Sequence, residues 1–209
     1  LPQAPVSFRA APRLLARALR SYHSLNVATR QAIRAVTDNP VIVGEGESLR
    51  ALSNGGFFDA EGPPLFDDLA GAWADLIRLL EKLASRLAET APSMTMSRSA
   101  LARLRGLVWA VAGYAEDAAA RASRTPLPGT ESGGGPQNDL LSPVVQAWAK
   151  QVAVGNLLST ACAALRAVAA CVRGEETLDP HDLDAALRSR MEKATVPPPE
   201  LVPPIPHSL

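Results

Sequence analysis

The run from Pro143 to Arg173 constrains the fold most. It is rich in Ala and Val on nearly every helical face, and Gln146, Lys150, Gln151, Asn156 and Arg166 are its main interruptions. Ser142 is a suitable N-cap, Pro143 suits the first helical position, and Gly174 suits the position just past the end. The bracketed stretch predicts about 46 Å of helix. A helix that is apolar all round needs neighbours all round. A membrane span is the rival reading, but Asn156 and Arg166 fall inside the apolar window, and a central Arg costs about 2.5–3.5 kcal/mol on insertion scales. The pattern therefore predicts the central helix of an assembly, an obligate oligomer and no membrane crossing.

The rest of the chain reads as helices around that one. Apolar residues recur at steps of three and four from Leu14 to Val36, and Thr37-Asp38-Asn39-Pro40 ends that run, because Pro40 disfavours α geometry at Asn39. Val41-Ile42-Val43 and Leu49 to Ser53 predict a small hairpin around Gly44-Glu45-Gly46. Pro63-Pro64 opens a long amphipathic helix through Phe66, Leu69, Trp73, Leu80, Leu83 and Leu87, closed by Ala91-Pro92-Ser93. Its acidic start, with Lys82 and Arg86 late, complements the helix dipole. Trp73 lies in its apolar stripe, where packing is the expected role. A further stripe, Leu101, Leu104, Val108, Val111 and Ala115, starts at Ser97 or Ser99 and runs to about Ser123. Thr125 to Pro136 is a Gly- and Pro-rich connection, read either as a linker or as an active-site loop. Its three glycines precede no Lys-Ser/Thr and make no phosphate loop. A short helix is expected from Leu178-Asp179-Pro180 through Leu183, Leu187 and Met191. The expected fold is all-α: a long, roughly antiparallel helical bundle with one β-hairpin, forming a single domain over 1–195, with a Pro-rich extended tail over 196–209.

Composition narrows the function classes. The 209 residues carry 21 basic and 21 acidic side chains with no long run of like charge, so nucleic acid is not an expected partner. The two cysteines, Cys162 and Cys171, sit nine positions apart, about 180° around one helix and about 13 Å along it, and cannot bridge within it. A reduced, cytoplasmic setting is expected. His23, His181 and His207 show no ligand spacing, so no metal is expected. No secretory signal is readable. The missing initiator Met leaves a processed fragment, a trimmed chain or half of a nicked protein open.

Four motifs follow one another along the chain: Gln3-Ala4-Pro5-Val6-Ser7-Phe8-Arg9 with Pro12, Thr37-Asp38-Asn39-Pro40, Ser53-Asn54-Gly55-Gly56-Phe57, and Gln137-Asn138-Asp139 with Ser142. Their order and spacing resemble the C-terminal half of the aromatic amino acid lyases, the family of histidine, phenylalanine and tyrosine ammonia-lyases and aminomutases. The departures are specific. Ala4 stands where the family has an aspartate, Val6 where it has a site tyrosine, Gly56 where it has an asparagine, and Asn138 where histidine lyases have a glutamate. The family's electrophile, a methylidene-imidazolone ring, forms from an Ala-Ser-Gly tripeptide, and no such tripeptide occurs in these residues.

The resemblance implies that Arg9 is the catalytic-site residue holding the substrate carboxylate, for which a bidentate guanidinium is well suited. Gln3, Val6, Phe57, Gln137 and Asn138 would line the substrate. It also implies a tetramer-type packing of long helices, with active sites drawn from several chains. On this reading the chain is the C-terminal subunit or fragment of a two-chain ammonia-lyase or aminomutase. A partner chain, the N-terminal half, would supply the methylidene-imidazolone, since this chain forms no cofactor itself. The neutral amide at Asn138, with Val6 and Phe57-Phe58, implies an aromatic or apolar amino acid rather than histidine as substrate. Val6, Asn138 and the missing tripeptide also support the alternative, a catalytically inactive lyase-like interaction protein.

Overall fold

The computed structural model describes residues 6–34, 41–52, 61–91, 96–126 and 141–174. Four helices carry the fold: α1 (Val6–Arg34), α2 (Gly62–Glu89), α3 (Arg98–Arg121) and α4 (Leu141–Val172). Between α1 and α2 lies the hairpin of β1 (Val41–Val43) and β2 (Arg50–Leu52), antiparallel with Val41 opposite Leu52 and Val43 opposite Arg50. Its tip is a single 3-10 turn, Gly46–Ser48, where the sequence predicts a plain glycine turn. Gly44 sits at φ 100°, and a Cβ there would come 2.4 Å from the Ser48 carbonyl oxygen, so only glycine fits. The described side chains of the hairpin, Ile42 and Leu52 included, are exposed.

The core is the wedge of α2, α3 and α4, filled by Ala70, Ala74, Ile77, Leu104, Leu107, Val111, Val154, Ala161, Ala164 and Val168. A second cluster, Ala18 with Ala72, Leu76 and Leu79, fastens α1 to the outside of α2, with Ala11 and Leu14 packed beside it. Cross-contacts give the directions. Arg17 and Ser21 meet Asp75 and Asp68, Arg78 meets Glu116, and Cys171 Sγ reaches the Ala100 carbonyl at 3.6 Å. Sequence neighbours among the helices thus run antiparallel, which leaves α4 parallel to α2. At the other end of the wedge Asp67 is nearly enclosed. It accepts from the Thr125 N–H at 2.5 Å and the Thr125 hydroxyl at 2.8 Å, and pairs with Lys150 Nζ at 2.9 Å. Lys150 also donates to the Ser123 carbonyl. One carboxylate therefore ties the exit of α3 and the first turns of α4 to α2.

Two expectations change, and a third feature concerns α4. The sequence pattern starts the first helix at Leu14, but α1 begins at Val6 and runs through Pro12. The proline removes a single bond, to the Phe8 carbonyl, while Ala10, Ala11 and the packing of Ala11 on α2 keep the earlier turns helical. Ser142 lies inside α4 rather than capping it, and Pro143 loses nothing there because the first four N–H groups of a helix have no internal partner. At the other end Gly174 (φ 74°) donates to the Cys171 carbonyl at 3.1 Å, the left-handed terminus its position predicts. Finally, α4 is not enclosed within one chain. Ala147, Val154, Ala161, Ala164 and Val168 are buried, but Val145, Trp148 and Val152 are exposed. By length and composition Pro143–Val172 would also pass as a membrane span, with 28% of its apolar window buried. The Leu178–Met191 helix and the 196–209 tail lie outside the described residues.

The α2–α4 contact yields a test. A Cβ on Gly155 would lie 2.6 Å from the Trp73 ring, whereas one on Gly113 meets open space. Gly155→Ala should destabilise the chain by about 1–3 kcal/mol through overpacking. Gly113→Ala should stabilise it by about 0.5–1 kcal/mol. Urea denaturation of both variants checks the opposite signs.

Candidate functional site

The first turns of α1 lie against the last turns of α2, and an open groove of about 1010 Å³ runs between them. Val6 and Arg9, three residues apart, share one face of α1 and both line it, with Ser7 and Ala10. From α2 come Asp75, Arg78, Lys82, Ser85, Arg86 and Glu89. Arg78, Lys82 and Arg86 step by four, which sets them in a row along the side of α2 that faces the groove.

The cations of this row are already engaged. Arg78 donates to Glu81 at 3.1 Å and to Glu116 of α3 at 2.8 Å. The hydrogen bond to Glu116, then that to Glu81, raises the Arg78 pKa, and Arg78 in return holds the Glu116 carboxyl below its ordinary range. Lys82 pairs with Glu81 and Arg86 with Glu89. Asp75 is taken by Arg17. Arg9 is exposed and, among the described residues, has no ion pair or hydrogen bond. Among the described residues the groove therefore presents one unengaged guanidinium beside the aliphatic Val6, in surroundings that are otherwise charge-paired. An anionic group such as a carboxylate is the ligand chemistry this geometry accepts.

Of the residues singled out in the sequence, the structure brings Val6 and Arg9 together. Gln3, Phe57, Gln137 and Asn138 lie outside the described residues. The α2 half of the groove was not singled out from the sequence, where Lys82 and Arg86 serve only as dipole-complementing charges. Their four-residue spacing with Arg78 was the available signal. Among the described residues no cluster of three or more His, Cys, Asp or Glu could hold a metal ion. Both cysteines are free. Burial pushes the half-buried Cys162 thiol up, and Arg166 partly offsets this.

With this geometry in place the family is identified by its sequence model. The model for aromatic amino acid lyases matches residues 1–125, more than half of the chain, and the chain belongs to that family. The match covers the first three motifs and α1 to α3, and it ends before Gln137-Asn138-Asp139 and α4. No curated protein matches the chain significantly. No solved structure does so either.

The Arg78–Glu116 bridge has a signed pH dependence. Because the folded-state pKa of Glu116 is lowered, its contribution is present above the ordinary glutamate range and lost as pH falls through the lowered value. Wild type should melt above Glu116→Gln at about pH 7 and converge with it once the pH falls below the lowered Glu116 value. Thermal melts across a descending pH series, at low and high salt, measure this.

Proposed function

We propose that the chain supplies the carboxylate-binding half of an ammonia-lyase or aminomutase-type carbon–nitrogen lyase that is active only together with a partner chain. The observation that carries this reading is Arg9, which lines the groove without an ion pair among the described residues, within a chain of the aromatic amino acid lyase family. A guanidinium gives a two-pronged contact to an amino-acid carboxylate. Val6 and the aliphatic stem of Leu14 give the same groove an apolar wall, which suits an aromatic or apolar side chain. These residues contain no Ala-Ser-Gly, so they cannot form the methylidene-imidazolone. The partner, an N-terminal-half lyase chain, would bring it. The exposed face of α4 with Val145, Trp148 and Val152 is apolar surface available to such an assembly. Two free cysteines are consistent with a cytoplasmic setting.

One observation favours a second reading. Val6 places an aliphatic side chain, 69% exposed, at the position where the family resemblance expects a tyrosine, so no hydroxyl is available there for proton transfer. A helical protein that binds an amino acid or a partner chain without turnover follows from that loss.

The experiment is co-expression with an Ala-Ser-Gly-containing lyase chain, followed by ammonia release and calorimetry with phenylalanine, tyrosine and histidine. Turnover or binding should favour phenylalanine or tyrosine over histidine, and a preference for histidine overturns the substrate reading. Arg9→Lys should lower kcat/KM by at least ~100-fold, about 2.7 kcal/mol at 1.36 kcal/mol per decade. Wild-type kinetics in that variant would remove Arg9 from the site. Binding without ammonia release selects the second reading.

A further inference from the structure

The outward side of α3 carries one large apolar side chain with little around it. Trp109 is 75% exposed and lies about 160° around the helix from the stripe of Leu104, Val111 and Ala118 that packs into the core. Gly106 and Gly113 stand one turn before and one turn after it, and a Cβ on either would meet nothing within 4 Å. The indole is thus flanked by bare backbone on both neighbouring turns.

The charges beside Trp109 suit a second copy of the same face. Arg105 precedes it by four residues and Glu116 follows it by seven. Both therefore fall on one border of this side of α3, about 20° apart around the helix and within about 40° of Trp109. They also stand at equal distances, about 8 Å along the axis, from the midpoint between Ala110 and Val111. A two-fold axis through that midpoint, perpendicular to two antiparallel copies of α3, reverses the direction of the helix but keeps each border on its own side. It sets Arg105 against Glu116 of the second copy, and the reverse, which is the self-complementarity that an isologous contact requires. The same axis sets Trp109 against Ala112 and Gly113 of the second copy, where no side chain larger than a methyl is in the way. Arg98 falls opposite Ser123, so like charges do not meet.

Both charged partners are available. Arg105 is exposed and, among the described residues, has no ion pair or hydrogen bond. One oxygen of Glu116 accepts from Arg78, but the side chain is still 74% exposed and a carboxylate has capacity for a second guanidinium. A lipid surface asks for several large apolar side chains on one face, and this face has one.

We propose that α3 forms a two-fold contact between copies of this chain, with the two Trp109 rings side by side at the dyad and two Arg105–Glu116 pairs along its border. An aromatic centre within a charged rim is the usual seat of binding energy in an interface. The contact is read from α3 alone and does not rest on the lyase reading, since neither Arg105 nor Trp109 lines the groove.

Sedimentation of the full chain over a range of concentrations tests this. Wild type should associate reversibly. Trp109→Ala should weaken association at least ~10-fold, with unchanged circular dichroism because the side chain is exposed. Arg105→Glu sets carboxylate against carboxylate across the dyad, and Glu116→Arg sets guanidinium against guanidinium, so each alone should weaken association to a similar degree. Mixed in equal amounts, the two variants should associate again as a heterodimer, because every opposed pair is once more an acid with a base. Glu116→Arg also breaks the bridge to Arg78, but that loss lies within one chain and mixing does not mend it. Three results would overturn the proposal: a wild type that stays monomeric at every concentration, association that Trp109→Ala leaves unchanged, or a mixture of the charge variants no more associated than either alone.

Discussion

The structure depends on α2 being narrow enough to be packed from two directions at once. Ala70, Ala74 and Ala84 on one side and Ala72 on the other leave room for α3, α4 and α1 to approach its axis, while Ile77, Leu76 and Leu79 supply the buried bulk between them. Trp73 belongs to both clusters and rests on the bare backbone of Gly155. Close approach of this kind leaves little tolerance, because a protein interior packs at crystal-like density and one added methyl must be accommodated somewhere. Placement of Val6 and Arg9 follows from it indirectly, since α1 is held through its stripe on α2.

Polar contacts then set the register. Asp67 fixes one end of the wedge, Arg17 with Asp68 and Asp75 fixes α1 midway, and Arg78 with Glu116 links α2 to α3 near the groove. They differ in weight. The Arg17 and Arg78 pairs are substantially exposed, and such pairs contribute about 0–1 kcal/mol. Asp67 is only 10% exposed, and its oxygens take three donors. Removing it would leave Lys150 and the Thr125 amide without that compensation, the situation in which a partly enclosed ion pair matters most.

Much of this was legible in advance wherever burial follows a simple period. α2 and α3 show one apolar stripe each, and their ends lie within two residues of the positions that Pro63, Ala91, Ser97 and Ser123 indicate. Ser97 caps α3 through the Ala100 N–H at 3.1 Å, which settles the choice between Ser97 and Ser99. The hairpin was readable from β-branched residues around glycine. What was not readable depends on pairing between distant segments. α4 is apolar on every side, so its sequence does not say which stripe is inward; Lys150 meeting Asp67 and Gly155 meeting Trp73 decide that. For the same reason the groove was half visible. Arg9 stands out through its motif, whereas Arg78, Lys82 and Arg86 acquire meaning only once α2 lies antiparallel to α1.

The charge distribution gives α1 its separate character. Neutrality holds for the chain as a whole, yet fields between exposed charges are screened beyond about 10 Å at ordinary salt, so acids elsewhere do not cancel a row of arginines on one helix. Asp68 and Asp75 face α1 but are spent on Arg17. The other arginines, Arg9, Arg13, Arg20, Arg30 and Arg34, lie on the side of α1 turned away from its stripe on α2. Val6 and Arg9 occupy the first turn of a helix anchored chiefly by small residues, Ala11 and Ala18 among them, so the packing of those alanines on α2 sets where Arg9 stands over the groove.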